Sequence, residues 1–457
     1  MPWEVRPSSH LAVLPLRPGA GRSYAWPGRR GGSRGARNID MYARRGLTTV
    51  TKANWFTRDG GRTKYISALT GARFPAIMVI VISHFEFLQQ YGSFGYIYWN
   101  FLHNATMGVD FFFIMSGFGM MLSSIRKDPC GTAPIGRVRD AFMFGWHHVK
   151  KLYSLYVTML IIGLPYQVLA AVIDGKASIV EQLLKSILLF SIDLTLLQSL
   201  IGNMTFSHSL NGVCWFLSSL FCIYLISPCI MYYFKKYVHS LGAMRIGVIV
   251  CIGFYVITGV IFGYVDDISP FFDDLCYGSP FRRVFCVMAG MFLAQLYNFR
   301  KHNETPNASV FIDSGIFEYI FIILSIIWFF TRTFSSLANT PFAYAVDMSL
   351  ASGDLYALSL EKGVISRLLK TEPMVYLGTI SMYIFMIHYL IRMYIDFGVR
   401  LLGINCLVIG IFEAILILVL SIFISIRQYD RDRKKRRSSI VAASRIASKF
   451  LDLRHFW

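Results

Sequence analysis

Apolar runs of about twenty residues recur along most of this chain, and they limit what it can fold into. Of its 457 residues, 55% are hydrophobic, and the mean hydropathy is +0.50. A run of about 20 apolar residues is the length at which a helix crosses the hydrocarbon core of a bilayer. Irregular backbone cannot face that core, because its polar groups would have no hydrogen-bonding partners. The sequence therefore predicts an all-α, polytopic integral membrane helix bundle.

Nine of the runs are clear spans, and two further stretches, 183–201 and 341–360, are open. The clear spans lie at 66–89, 105–125, 144–172, 213–234, 245–264, 281–298, 314–332, 374–396 and 405–427. Basic loops are expected in the cytoplasm, and the acidic loop 265–279 suits the outside. These signs agree if 341–360 spans and 183–201 is a re-entrant or interfacial element. The result is about ten transmembrane helices with both termini cytoplasmic.

The two ends of the chain differ from its middle. Residues 1–60 are rich in Arg, Gly and Pro, which predicts disorder, and translation from Met41 is an alternative start. No apolar core of a signal peptide is seen there. Residues 61–430 form the predicted transmembrane domain. Residues 431–457 form a basic cytoplasmic tail, either an amphipathic helix on the membrane surface or a disordered segment.

The net charge of +19 raises the question of nucleic-acid binding. The basic residues, however, lie in loops and tails beside apolar spans, which is typical of orientation in a membrane and of attraction to anionic lipid. We therefore expect the lipid bilayer, and no nucleic acid, as a partner. The eight cysteines and the histidines show no metal-ligand spacing, so we expect no metal site.

The first span carries an arginine and a histidine, Arg73 and His84, which are 11 residues apart. On a helix that spacing brings two side chains to within roughly 20° of one direction and about 16 Å apart along the axis. Ionisable side chains are costly in lipid and by default mark functional sites. Asp110 enters the second span at a similar depth and is expected to pair with His84 and fix its tautomer. The alternatives are a helix cap or a structural pair with another buried charge.

These segments resemble the membrane-bound acyltransferase-3 family of bacterial O-acyltransferases. Arg73 and His84 match its first-helix pattern, and GVDFFFIMSGF at 108–118 matches its second-helix signature. The later matches are HHVKKLYSLY at 147–156, VCWFLSSLFCIYLISP at 213–228, SPFRRVFCVMAGM at 279–291 and LGTISMYIFMIHYLI at 377–391. Their order and spacing hold from residue 64 to residue 427.

Several positions depart from the family pattern. The third-helix motif usually has two arginines, where this chain has His148 and Lys151. Lysine keeps the charge but loses the bidentate fork that suits phosphate. Ser154 replaces a usual proline, and Cys286 stands where a glutamate is common. These changes bear on the acceptor more than on the reaction, because the first-helix pair is intact.

The resemblance implies an O-acyltransferase of the bacterial inner membrane. It would move an acyl group, commonly acetyl, from cytoplasmic acyl-CoA to a hydroxyl of a cell-surface glycan such as O-antigen or exopolysaccharide. His84 would be the catalytic base and Asp110 would hold its ring. The residues expected to bind acyl-CoA are Arg73, Lys150, Lys151 and Ser116. Acyl-CoA is then a co-substrate, and no tightly bound cofactor is expected.

The residues expected at the acceptor are Trp215, Arg283, Tyr383 and His388. Three of these four residues also have a structural explanation. Trp215 fits an interfacial aromatic belt, Arg283 fits a side chain that reaches to the membrane surface, and His388 fits a satisfied histidine of the bundle. Ser116, on the donor side, also fits simple helix packing.

Two other classes of function remain open from the residues. A proton-coupled transporter or flippase of a lipid-linked or small anionic substrate would use Arg73, His84 and Asp110 as a relay. No internal repeat is evident, which weakens that hypothesis. A scaffold within a polysaccharide assembly complex would need none of these side chains for chemistry.

Overall fold

The computed structural model describes residues 66–127, 138–173, 175, 178–302, 315–332, 340–403 and 406–454, and these ranges contain no β-strand. The segment 1–60, expected to be disordered, lies outside them. The described ranges hold eleven helices of at least 16 residues. They are α1 (Ser67–Ser83), α2 (Thr106–Lys127), α3 (Val138–Ile173), α4 (Ile179–Leu194), α5 (Trp215–Tyr237), α6 (Leu241–Ile268), α7 (Pro280–His302), α8 (Ile316–Thr331), α9 (Pro341–Leu360), α10 (Glu372–Leu401) and α11 (Leu407–Arg454).

The helices follow the apolar runs. Each of the ten expected spans coincides with one helix, and α4 covers most of the open stretch 183–201. Six described stretches are long and apolar enough to cross a membrane, by length and composition. They are Gly92–Lys127, Val138–Ile173, Trp215–Tyr237, Leu241–Ile268, Glu372–Leu401 and Leu407–Lys435. The chain is thus all-helical with several membrane-spanning candidates, and the total of ten spans stays a prediction.

The bundle has two ends, which we call the Arg73 end, where α1 begins, and the His84 end, where α1 stops. Helix α10 runs parallel to α1, because Gly378 packs on the Thr70 carbonyl near the start of both helices and the rings of His84 and His388 meet near the end of α1. Helices α2 and α7 both begin at the His84 end. Asp110 meets Arg283 near the start of each.

Two glycines let α2 and α7 approach closely. A methyl group on Gly117 would overlap the Val287 carbonyl, and one on Gly290 would overlap the Ile114 carbonyl. Small residues at such contacts are typical of helix packing in membranes, where close van der Waals contact replaces the hydrophobic effect. One face of α2 is therefore committed to α7.

The helices divide into an inner and an outer set. In α2, α5 and α10 between 61% and 72% of the most apolar window is buried, against 17% to 22% in α3, α6 and α11. The outer helices expose large apolar side chains, such as Ile249, Phe254 and Ile257 of α6. An exposed apolar surface of this extent is not stable in water and marks a lipid-facing surface.

Helix α4 does not cross the bundle. It follows α3 at the His84 end, and its last residues lie beside the middle of α3. The Tyr153 hydroxyl donates to the Leu194 carbonyl at 2.9 Å, and the Tyr156 hydroxyl donates to the Asp193 carbonyl at 2.7 Å. The chain then returns to the His84 end, where Asn203 donates to the Phe271 carbonyl. Helix α4 thus ends inside the bundle, which fits the re-entrant element expected for this stretch, and its place in a membrane stays a prediction.

Helix α11 continues without a break to Arg454, through most of the predicted tail at 431–457. The sequence left a helical and a disordered tail open. The described residues of the tail are helical as far as Arg454, and the place of this helix on the membrane surface stays a prediction.

The contact between α2 and α7 gives a matched pair of substitutions. Gly117→Ala should lower the stability of the folded protein by about 1–3 kcal/mol, because the added methyl group forces two helix backbones apart. Gly119 lies two residues away on the same helix with open space around it, so Gly119→Ala should be neutral or slightly stabilising. Thermal unfolding of both variants in detergent measures the difference. Equal melting temperatures would contradict the close packing.

Candidate active site

His84 lies immediately after α1, which corrects the expected span of 66–89: the helix stops at Ser83. The reason is a competition for the Ile80 carbonyl. That oxygen would normally accept the backbone N–H of His84, but the Ser83 hydroxyl donates to it at 2.8 Å and Nδ1 of His84 lies 2.7 Å from it. The backbone N–H of His84 donates instead to the Val81 carbonyl at 3.2 Å. The imidazole thus caps its own helix.

Side chains also satisfy the other carbonyls at the end of α1. The Tyr98 hydroxyl donates to the Ser83 carbonyl at 2.8 Å, and Nδ1 of His103 lies 2.8 Å from the same oxygen. The Arg392 guanidinium donates to the His84 carbonyl at 2.9 Å. The last carbonyls of a helix have no partners within it, so this end is stable inside the bundle only with such donors. The partial negative charge at the C-terminal end of α1 also attracts the guanidinium of Arg392.

The hydrogen bonds around His84 indicate its tautomer. Nδ1 faces the Ile80 carbonyl, which only accepts, so we infer that Nδ1 carries the hydrogen. Nε2 of His388 lies 3.4 Å from the same Nδ1, and Nδ1 of His388 in turn lies 3.1 Å from the Ile384 carbonyl. No described residue forms a hydrogen bond with Nε2 of His84. That nitrogen therefore keeps a free lone pair, which is what a general base needs.

Asp110 does not contact His84, which corrects the pairing expected from the sequence. The carboxylate is fully buried and accepts from the Arg283 guanidinium and, through both oxygens, from the Tyr255 hydroxyl at 2.9 Å. Asp110 lies on the face of α2 that packs on α7, and a permanently charged guanidinium attracts a buried carboxylate more strongly than a neutral ring does. The alternative of a structural ion pair is the one observed.

Arg283 does not reach to the membrane surface. Its side chain is fully buried, its Nε donates to the Tyr277 carbonyl at 2.9 Å, and its guanidinium carbon lies 5.6 Å from the ring centre of Trp215. Trp215 is only 3% exposed and stacks near Phe113, so it is not part of an interfacial belt. Both residues belong to the packed interior at the His84 end.

The other two acceptor candidates lie at different levels of α10. His388 is fully buried beside His84, with the ring centres 5.2 Å apart. The Tyr383 hydroxyl donates to Asp432 of α11 at 3.0 Å, on the Arg73 side of His388. His388 therefore lies beside His84, and Tyr383 does not.

The residues expected to bind acyl-CoA lie toward the Arg73 end. The Arg73 Nε donates to the Met115 sulfur at 3.0 Å, and the neighbouring Ser116 hydroxyl donates to the Phe112 carbonyl of its own helix at 3.0 Å. Lys150 and Lys151 are exposed near the start of α3. Arg73 and Ser116 are both neighbours of the Tyr224 hydroxyl. The centre of the His148 ring lies 5.1 Å from the centre of the Tyr224 ring. The third-helix motif thus meets the first two motifs at this end.

A narrow apolar cavity lies along α1 between the arginine and the histidine. Arg73, Ile77, Ile80 and His84 follow one another at intervals of four, three and four residues, which is one helical face. The cavity is small: its water-accessible space is about 10 Å³, enough for about one water molecule. It is lined by Ile77, Ile80, Val109, Phe112, Phe216, Met382 and Phe385, from helices α1, α2, α5 and α10.

Sequence reasoning missed two residues that hold the site. Arg392 lies four residues after His388 on the same face of its helix, and that spacing was the available signal. Tyr255, which donates to Asp110, lies inside an apolar run of α6 that gives no sign of it. Among the described residues, no group of three His, Cys, Asp or Glu side chains is placed to hold a metal ion.

Comparison with known proteins gave one finding. A protein-family model described as an acyltransferase domain matches residues 66–426, most of the chain and the whole of the bundle described above up to α11. Neither the curated proteins nor the solved structures gave a match.

The buried ion pair between Asp110 and Arg283 gives a prediction about the stability of the protein. Asp110→Ala should destabilise the protein by about 3–5 kcal/mol, because it leaves the Arg283 charge buried without a partner. The double variant Asp110→Ala with Arg283→Met should recover part of that loss, because no unpaired charge remains. Thermal unfolding of both variants in detergent tests this. A double variant less stable than Asp110→Ala alone would show that the pair is not what holds α2 to α7.

Proposed function

The chain belongs to the acyltransferase-3 family. From that premise we propose that it moves an acyl group from cytoplasmic acyl-CoA to a hydroxyl of a cell-surface glycan, and that the acyl group is acetyl. One observation carries the proposal. A single face of α1 has a cation at one end, an imidazole with a free nitrogen at the other, and an apolar cavity between them. The pantetheine arm of CoA is long and thin, and the rise of about 16 Å between Arg73 and His84 suits its length. The cavity between the two residues must widen to admit it.

The reaction requires a base at the His84 end. The acceptor hydroxyl attacks the thioester carbonyl carbon, the new C–O bond forms as the C–S bond breaks, and the hydroxyl proton passes to Nε2 of His84 and then to the leaving thiolate. A positioned base of this kind typically contributes about 10²–10⁴-fold to the rate. The hydrogen bond between Nδ1 and the Ile80 carbonyl supports the role, because it directs the free lone pair to Nε2.

The donor would be held from the Arg73 end. Cations complement the charges of CoA phosphates, and Arg73, Lys150 and Lys151 supply them. Ser116 is half-buried next to Met115, the residue that contacts Arg73, which fits a place beside the pantetheine arm. Acyl-CoA acts as a co-substrate, and the proposal includes no tightly bound cofactor.

The proposed topology has ten transmembrane helices and a cytoplasmic Arg73 end, in a bacterial inner membrane. The basic residues support this orientation, since Arg126, Lys127, Lys236 and Lys301 all lie at helix ends on that side. Acyl-CoA would then enter from the cytoplasm, and a glycan would approach His84 from the opposite face.

The proposal predicts that His84→Ala abolishes the release of free CoA from acetyl-CoA by the purified protein, a loss of at least about 10²-fold. Thiol release is followed with a chromogenic thiol reagent, with membranes of the native host as the source of acceptor. His302→Gln, an exposed histidine at the Arg73 end, is the matched control and should retain full activity.

Two outcomes contradict the proposal. In the first, wild-type protein in proteoliposomes moves a labelled substrate without releasing CoA, as a carrier would. In the second, His84→Ala is as active as His302→Gln while both melt at the wild-type temperature.

A further inference from the structure

A second histidine at the His84 end is held by an acid. His208 lies in the segment between α4 and α5, and its Nδ1 is 2.8 Å from the Ser207 hydroxyl and 3.5 Å from Oδ2 of Asp274. The Ser207 hydroxyl donates to that same Oδ2. Asp274 is itself fixed, because the Gly278 N–H donates to its Oδ1 at 3.1 Å. We therefore place the ring hydrogen on Nδ1 of His208 and the free lone pair on Nε2.

This arrangement is not a nucleophilic triad. In such a triad the serine hydroxyl donates to the imidazole nitrogen that lies away from the acid. Here the Ser207 hydroxyl donates to Asp274 and lies on the Nδ1 side of the ring. The serine and the acid together orient the histidine, and the reactive nitrogen of the ring faces away from both.

The His208 segment reaches the edge of the site. Gly212 packs on the Tyr389 ring, and the Tyr389 ring is edge-on to His84 with the centres 5.4 Å apart. Next to Gly212, the Asn211 amide donates to the Met386 carbonyl of α10 at 3.0 Å. Gly212, four residues after His208, is thus separated from His84 by the Tyr389 ring.

Exposure distinguishes His208 from its neighbours. Its side chain is 20% exposed, whereas His388 and Arg283 are fully buried. Its ring lies 6.4 Å from that of Tyr277, which is half-buried. A molecule arriving at the His84 end would therefore meet His208 and Tyr277 before it met the buried residues.

The electrostatics keep His208 able to accept a hydrogen bond. Burial, with a smaller contribution from the charge of His84, lowers the pKa of His208 to about 4. Burial also raises the pKa of Asp274 to about 7, although Ser207 and Gly278 donate hydrogen bonds to it. Near neutral pH the His208 ring is uncharged, so its Nε2 has a lone pair to offer.

We propose that His208 is a positioning residue for the acceptor: its Nε2 accepts a hydrogen bond from one hydroxyl of the acceptor while a second hydroxyl of the same molecule reacts at His84. The proposal rests on the proposed function and deepens it. Because two hydroxyls must be engaged at once, the site favours a polyhydroxylated acceptor, a sugar, over a simple alcohol.

The test uses full-length protein in lipid nanodiscs, acetyl-CoA, and polysaccharide extracted from the native host and de-O-acylated with mild alkali. His208→Ala should raise the KM for the polysaccharide about tenfold, the effect expected from one lost hydrogen bond. The KM for acetyl-CoA should not change. His208→Gln should recover most of the loss, because an amide oxygen accepts the same hydrogen bond. His302→Gln is the control, and stabilisation by acetyl-CoA against heat shows that each variant is folded.

The outcomes separate this inference from the proposed function. If wild-type protein transfers no acetyl group, the proposed function fails. If wild-type protein is active and His208→Ala has an unchanged KM for the polysaccharide, the inference alone is overturned. It is also overturned if His208→Ala lowers kcat without changing that KM and His208→Gln does not restore it, since that result would make His208 a base.

Discussion

The ion pair between Asp110 and Arg283 is the interaction on which the arrangement of the bundle depends. Both side chains are fully buried, and each charge is stable there only because the other is present. The pair shares one face of α2 with Gly117, so that face is fixed against α7. The adjoining face, which carries Val109 and Phe112, is left to line the cavity beside α1. A contact remote from His84 thus determines which face of α2 lines the cavity beside α1.

The positions of the helices were predictable from the sequence, and some of the contacts between them were not. The length of an apolar run sets the length of a helix, and loop charges predict that 183–201 does not cross the membrane. The end of α1 was not predictable, because it depends on side chains that compete for the Ile80 carbonyl inside an otherwise apolar run. The partner of Asp110 was not predictable either. It depends on the rotation of α2, which is set by close glycine contacts with α7.

The candidate site divides into two chemical regions with an apolar middle. Cations gather at the Arg73 end, and imidazoles gather where α1 stops at the other end. That Arg73 and His84 lie on one side of α1 was predictable from their spacing, because it needs only helical geometry. Arg392 and His208 were missed, since their roles come from contacts between segments far apart in the chain. A donor and an acceptor that enter from opposite ends would meet at His84.

The most direct test of this account is a cryo-EM map of the protein with a thioether analogue of acetyl-CoA, which binds but cannot transfer its acyl group. The account predicts nucleotide density at the Arg73 end and pantetheine density along Ile77 and Ile80. The acyl carbon should lie within reach of Nε2 of His84. Density for the analogue at any other cavity, or a His84 ring turned away from the bound acyl group, would contradict it.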